Sequence, residues 1–197
     1  MYTKILERLN VLGANTDAVS PEKSFAENWK SLTFSNYLYD KEWDVYGIDQ
    51  FYENNRVLYS SDKEVFYINL LEHYFSNHEQ FYGQHFYKDW LFTPFKEDSK
   101  DFGELEGFVE ENEIRETVQG TEMEFICIFY SYGYPDHYFV CLTDPDQNNP
   151  TVYGTDHENY FEEIENEGNL ETFLEKYMTK EEFQEVVKEY LEEKFGK

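Results

Sequence analysis

Phe125-Ile126-Cys127-Ile128-Phe129-Tyr130, Gly133-Tyr134-Pro135-Asp136 and Tyr138-Phe139-Val140-Cys141-Leu142 follow one another closely in the chain. The first and third are β-rich apolar runs and the second is turn material, so the stretch reads as a β-hairpin. A symmetry centre near Tyr134 places Cys127 roughly opposite Cys141, close enough in principle for a bridge. Buried free thiols, as in a reducing compartment, are the competing expectation.

Toward the C-terminus, Asp144-Pro145-Asp146-Gln147-Asn148-Asn149-Pro150 supplies a long turn and Thr151-Val152-Tyr153 a short strand. Tyr160 to Ile164 reads either as a last strand or as a helical turn. Asn169 caps a helix with Leu170, Phe173, Leu174, Tyr177 and Met178 on one stripe. Thr179-Lys180-Glu181-Glu182 is a capping box opening a second helix, in which Phe183, Val186, Val187, Tyr190 and Leu191 repeat the spacing.

Toward the N-terminus, Ile5, Leu6, Leu9 and Leu12 form a helical stripe over Thr3 to Leu12, with Gly13 as its C-cap. A polar loop with a Ser20-Pro21 break leads into the aromatic-rich residues 25–59. Asp62 caps a helix from Lys63 to about Ser76, with Val65, Phe66, Leu70, His73 and Tyr74 close to one face. Asp98 to Thr117, dominated by acidic residues and two glycines, reads as a solvated, mobile excursion outside the core. The whole is an α+β pattern over 1–197, an antiparallel-rich sheet flanked by helices and closed by two amphipathic helices, taken as one domain.

The 197 residues include 42 Asp and Glu against 16 Lys and Arg, a formal charge of −26, yet 20% are aromatic, with 18 Tyr and 18 Phe. High charge favours disorder, but so many large rings offset ordering entropy by burial, which predicts a folded body with an acidic surface. Such a surface serves solubility, and it also draws in basic partners from beyond the Debye length of about 8 Å. It repels phosphates and anionic lipid, which argues against nucleic-acid and membrane partners. No export signal opens the chain and no run nears the roughly 18 apolar residues of a span, so a cytoplasmic location is expected.

Catalytic motifs are missing from the sequence: no HExxH, paired CxxC, Gly-rich phosphate cradle or nucleophile elbow occurs. His73, His78 and His85 would diverge on a helix. Asp136-His137 and Asp156-His157 offer either acid–base or metal chemistry, if the fold joins them, or structural hydrogen bonding. Asp144, Asp146 and Asn148 mimic the start of a calcium loop, but Asn149 and Thr155 stand where Gly and an acidic ligand are needed, so Asx turns explain the run. The expectation is a protein that is not an enzyme and carries no cofactor or metal.

The sequence Tyr138-Phe139-Val140-Cys141-Leu142, an Asp/Asn/Pro turn, Pro150-Thr151-Val152-Tyr153, Thr155-Asp156-His157-Glu158 and Leu170-Glu171-Thr172-Phe173-Leu174 resembles the SUKH superfamily of Smi/Knr-like proteins. The resemblance covers about residues 124–178. The family's early Leu-Pro and Asn-Gly-Gly signature has no counterpart here. It implies an α+β domain and, for bacterial members, an immunity protein that neutralises a toxin, often a nuclease, by binding it. A scaffold or regulatory protein-binding module, as in eukaryotic members, is the alternative, and a small carboxylate or Asp-His hydrolase the third. Candidate contact residues for a basic toxin domain are Tyr132, Tyr134 and Asp136 in the hairpin turn and the acidic run Glu162, Glu163, Glu165 and Glu167.

Overall fold

Capping chemistry and apolar spacing set most of the helices. The computed structural model describes residues 1–34, 36–42, 46–76, 86, 89–130 and 137–196. In chain order the elements among them are α1 (Thr3–Val11), β1 (Ala14–Asn15), α2 (Phe25–Ser31), β2 (Thr33–Phe34), α3 (Ile48–Ser61), α4 (Lys63–Ser76), β3 (Trp90–Phe92), α5 (Glu111–Thr117), β4 (Phe125–Tyr130), β5 (His137–Cys141), β6 (Thr151–Thr155), β7 (Glu165–Asn169), α6 (Leu170–Leu174) and α7 (Lys180–Phe195). This is an α+β protein.

The expected caps are present. Asp62 Oδ1 accepts the Val65 N–H at 3.1 Å, Asn169 Oδ1 accepts the Thr172 N–H at 2.9 Å, and Thr179 and Glu182 satisfy each other's backbone N–H at the start of α7. After α1 the chain turns at Gly13, whose φ of +102° suits a residue without Cβ. Helix α6 is shorter than the stripe predicts and ends at Leu174, although Tyr177 and Met178 are still buried. In α3, Asn55 leaves helical geometry and donates its Nδ2 to the Phe51 carbonyl at 2.9 Å, a side-chain bond that accompanies the kink.

The main sheet runs β3-β4-β5-β6-β7, antiparallel throughout. Period-two alternation sends its apolar side chains to two cores. Ile126, Val140 and Val152 join Ile5 and Leu9 of α1, Trp29 of α2 and Leu170 and Phe173 of α6. Phe125, Cys127, Phe139, Cys141 and Tyr153 join Phe92 and Phe161. The hairpin register slips between Cys127 and Phe129, so two residues of β4 oppose Tyr138. This bulge turns Phe129 toward the helical side, where its ring meets Trp29 at 5.7 Å and Phe173 at 5.4 Å.

The register of this hairpin also corrects the expected cysteine alignment. Cys127 pairs with Phe139, and Cys141 pairs with Phe125, so the thiols are diagonal neighbours on one face rather than opposite each other. Both thiols are buried and outside any disulfide. Cys127 Sγ bonds the Phe129 carbonyl and Cys141 Sγ the Glu122 carbonyl.

A third core joins α3, α4 and α7 through rings. Tyr39 sits at its centre, 5.8 Å from Tyr74, 5.2 Å from Phe75 and 5.0 Å from Phe183, with its hydroxyl donating to the Tyr74 carbonyl at 2.6 Å. On α4, Phe66, Leu70 and Tyr74 face this core as expected, His73 is half-buried, and Val65 points to solvent.

Of the two readings of Tyr160 to Ile164, the turn is the one present, with the Glu163 N–H bonded to the Asn159 carbonyl and one bridge between Tyr160 and Glu163, and the last strand is the polar β7 that pairs with β6. One further expectation is corrected. Residues 98–117 are not an excursion outside the core: Leu105, Val109 and Ile114 are buried and, with Val118, cover the second face of the sheet. Burial of four such side chains is favourable by about 1.5–3 kcal/mol each, and none of the acids between them is buried with them.

Candidate partner-binding surface

Of the residues expected to meet a partner, Tyr132, Tyr134 and Asp136 lie outside the described residues. Glu162 and Glu163 are exposed in the turn before β7, and Glu165 is exposed at its start. Glu167 differs: its side chain is only 12% exposed and is held by Lys176. The space it occupies is set by Gly154, where a Cβ would come within 3.2 Å of Glu167 Oε1 and 3.3 Å of the Tyr138 ring. Three of the four acids therefore face solvent, while the fourth supports the sheet.

The polar motifs are largely engaged in holding turns. Asp156 is buried, and its Oδ1 accepts the N–H groups of Glu158 and Asn159, each at 2.7 Å. Its sequence neighbour His157 is exposed, whereas His137 packs 5.7 Å from the Trp90 ring and 6.2 Å from Phe139. Asp136 lies outside the described residues, so the expected meeting of the two Asp-His pairs falls there as well. In the run after β5, Asp144 accepts from the Asp146 and Thr151 N–H groups and Asp146 from those of Asn148 and Asn149, as Asx turns require. No group of three or more His, Cys, Asp or Glu residues among the described residues could hold a metal ion.

The clefts among the described residues include two near the turns just described. One of about 410 Å³ lies between the start of the chain, α2 and the turn at Gln147 and Asn148. Its polar groups are turned inward: Asn28 bonds the Ser20 N–H, the Ser20 carbonyl and the Lys23 carbonyl, and Lys23 Nζ bonds the Ala18 carbonyl. The other, about 70 Å³, is lined by Phe95, Lys96, Glu111, Glu122, Met123 and Glu124, where residues 96–117 meet the start of β4. Within it Lys96 bonds Glu124 at 2.7 Å. Glu111 is held by Arg115, whose guanidinium also bonds the carbonyls of Gly120 and Thr121.

Residues 96–117 carry the surface that sequence reasoning missed. Consecutive turns link Lys96 to Ser99, Ser99 to Phe102, Asp101 to Glu104, Gly103 to Glu106 and Leu105 to Phe108, and the Gly103 N–H is tied to the Pro94 carbonyl at 2.9 Å. With Leu105 and Val109 directed inward, Phe102 and Phe108 are left 55% and 71% exposed. Around them stand nine acidic residues against three basic ones. Beneath, Asp101 Oδ2 and Tyr160 Oη are buried without a hydrogen-bond partner. Burial, and then the nearby Cys127, Glu104 and Asp101, push the Tyr160 phenol well above its ordinary value. A signal was available in the sequence, since Asp101-Phe102-Gly103 and Gly107-Phe108 place single rings in an acidic, Gly-punctuated run.

No helix among the described residues is long and apolar enough to cross a membrane. Compared with known proteins, the chain matches no family model, no curated protein and no solved structure.

Proposed function

We infer that this protein is a non-enzymatic binding protein of the immunity type, which neutralises a basic toxin domain by direct contact in the cytoplasm, the toxin being of nuclease character. The observation that carries this reading is the placement of the charge. Among the described residues only Asp101, Asp144 and Asp156 are buried acids, so the surplus of carboxylates lies on the outside of a body filled with rings. Much of the positive charge is spent internally, as with Lys176 on Glu167, Arg115 on Glu111 and Lys194 on Asp49. A nuclease needs a cationic groove for phosphate, and an acidic inhibitor then gains steered association and complementarity. The likeness of residues 124–178 to the SUKH superfamily supports the same function.

The test is a search of the neighbouring genes for a basic toxin domain and measurement of its binding to this protein. Tight association is expected, with an on-rate that falls by about tenfold or more from low to physiological salt. Undetectable affinity at low salt would overturn the reading.

A further inference from the structure

We propose that residues 96–117 form the docking surface of this protein, and that its occupant is a basic protein presenting Arg or Lys around an apolar depression. The inference rests on the reading above that the partner is basic, and adds where it binds and what it must look like. Phe102 and Phe108 are large rings exposed by 55% and 71%, six residues apart in one run of turns, so the chain between them spans at most about 20 Å. Solvent-facing rings of this size are costly to leave wet and are the usual anchors of an interface. Leu105 and Val109 pin the same turns to the sheet, so the rings are presented on a fixed base and little ordering entropy is lost on binding.

The rim specifies the sign of the partner. Asp98, Glu104, Glu106 and Glu110 are exposed around the two rings, and Lys100 is the nearby cation, 3.9 Å from Asp101. Asp101, next in the chain to Phe102, keeps one carboxylate oxygen without a hydrogen-bond partner. An arriving guanidinium would satisfy that acceptor after a small side-chain movement, and a charge pair of this kind inside an apolar ring is the form that contributes most to affinity. A phosphate-bearing or acidic partner would meet repulsion at each of these carboxylates.

The probes are two synthetic peptides of equal length and charge, one alternating Arg with Leu and the other Arg with Ser, titrated against the full chain at low salt. The wild type is expected to bind Arg-Leu about tenfold more tightly than Arg-Ser, and the double variant Phe102→Ser, Phe108→Ser to lose that preference while still binding Arg-Ser. Val57→Ser, which removes an 83% exposed apolar side chain on α3, should leave the preference intact. Both substituted rings are exposed, so an unchanged thermal midpoint verifies the fold of the double variant. If both peptides bind and the Phe variant keeps the wild-type preference, or Val57→Ser abolishes it, the surface is elsewhere and the basic-partner reading stands. If neither peptide binds the wild type, the reading itself fails and this inference with it.

Discussion

Raising the pH should unfold this protein abruptly, because several phenols are sealed inside it. Burial, and to a lesser degree Tyr74 and Tyr37, push the Tyr39 phenol far above its ordinary value of 10.0. Burial followed by Tyr59 does the same for Tyr67, and burial followed by Tyr138 for Tyr177. In the unfolded chain these phenols lose their protons near pH 10, while the folded protein holds them, so between that value and the folded ones it binds more protons than the unfolded state. Their contribution is therefore complete below about pH 10 and is lost as the pH climbs toward the folded values. At pH 11 each costs about 1.4 kcal/mol, and three together about 4 kcal/mol, a large part of the roughly 5–15 kcal/mol that holds a domain. Tyrosinate absorbance and far-ultraviolet circular dichroism, followed together, should show one group of tyrosines ionising freely and another ionising only as helix signal disappears. Replacing Tyr39 by Phe should reduce the alkaline loss at pH 11 to about 3 kcal/mol, at a cost near 1 kcal/mol at neutral pH for the lost bond to the Tyr74 carbonyl. Smooth ionisation of every tyrosine near pH 10 with the circular dichroism unchanged would refute the burial argument.

Three smaller perturbations test other parts of the structure. Thr179→Ala removes the acceptor of the Glu182 N–H and should lower stability by about 1 kcal/mol in urea unfolding; no change would mean that α7 is held by packing alone. Tyr160→Phe deletes a buried hydroxyl without a partner, so stability should be unchanged or rise by about 1 kcal/mol, and a loss of that size would reveal a bond to that oxygen. Leu105→Ala should cost about 2–5 kcal/mol if residues 98–117 are core, whereas a thermal midpoint within experimental scatter of wild type would restore the picture of a solvated excursion.

Local signals were legible wherever one residue decides the geometry. Asp62, Asn169 and Thr179 cap where their side-chain chemistry says they should, and the apolar runs Phe125 to Tyr130 and Tyr138 to Leu142 do pair. Strand β7 was not legible, because Glu-Asn-Glu-Gly-Asn has no strand preference of its own and is extended only by pairing with β6. The bulge near Ile128 gives no local sign either, since the run is apolar on both sides of it, and it accounts for one of the two residues by which the partner of Cys127 was misplaced. The error at 98–117 had a different origin: Leu105, Val109, Ile114 and Val118 are far enough apart among acids that charge density hid a regular apolar footing. With the footing unseen, the two isolated rings it leaves outside, Phe102 and Phe108, were passed over although their setting in the run was visible. Of the proposed contacts, Glu162, Glu163 and Glu165 sit where a partner could reach them, while Glu167 was drawn inward by a lysine eleven residues past Glu165, at Lys176.

Strand β7 also bears on how these molecules behave when crowded. An outer strand offers unmatched amide and carbonyl groups to any other strand that arrives, and the exposed Glu165 on this one sets a carboxylate beside that ladder. At neutral pH two copies meeting there repel each other. Near the sequence isoelectric point of about 4.3 that repulsion fades, so acidification should turn a protein built to stay dispersed into one whose copies stack strand against strand.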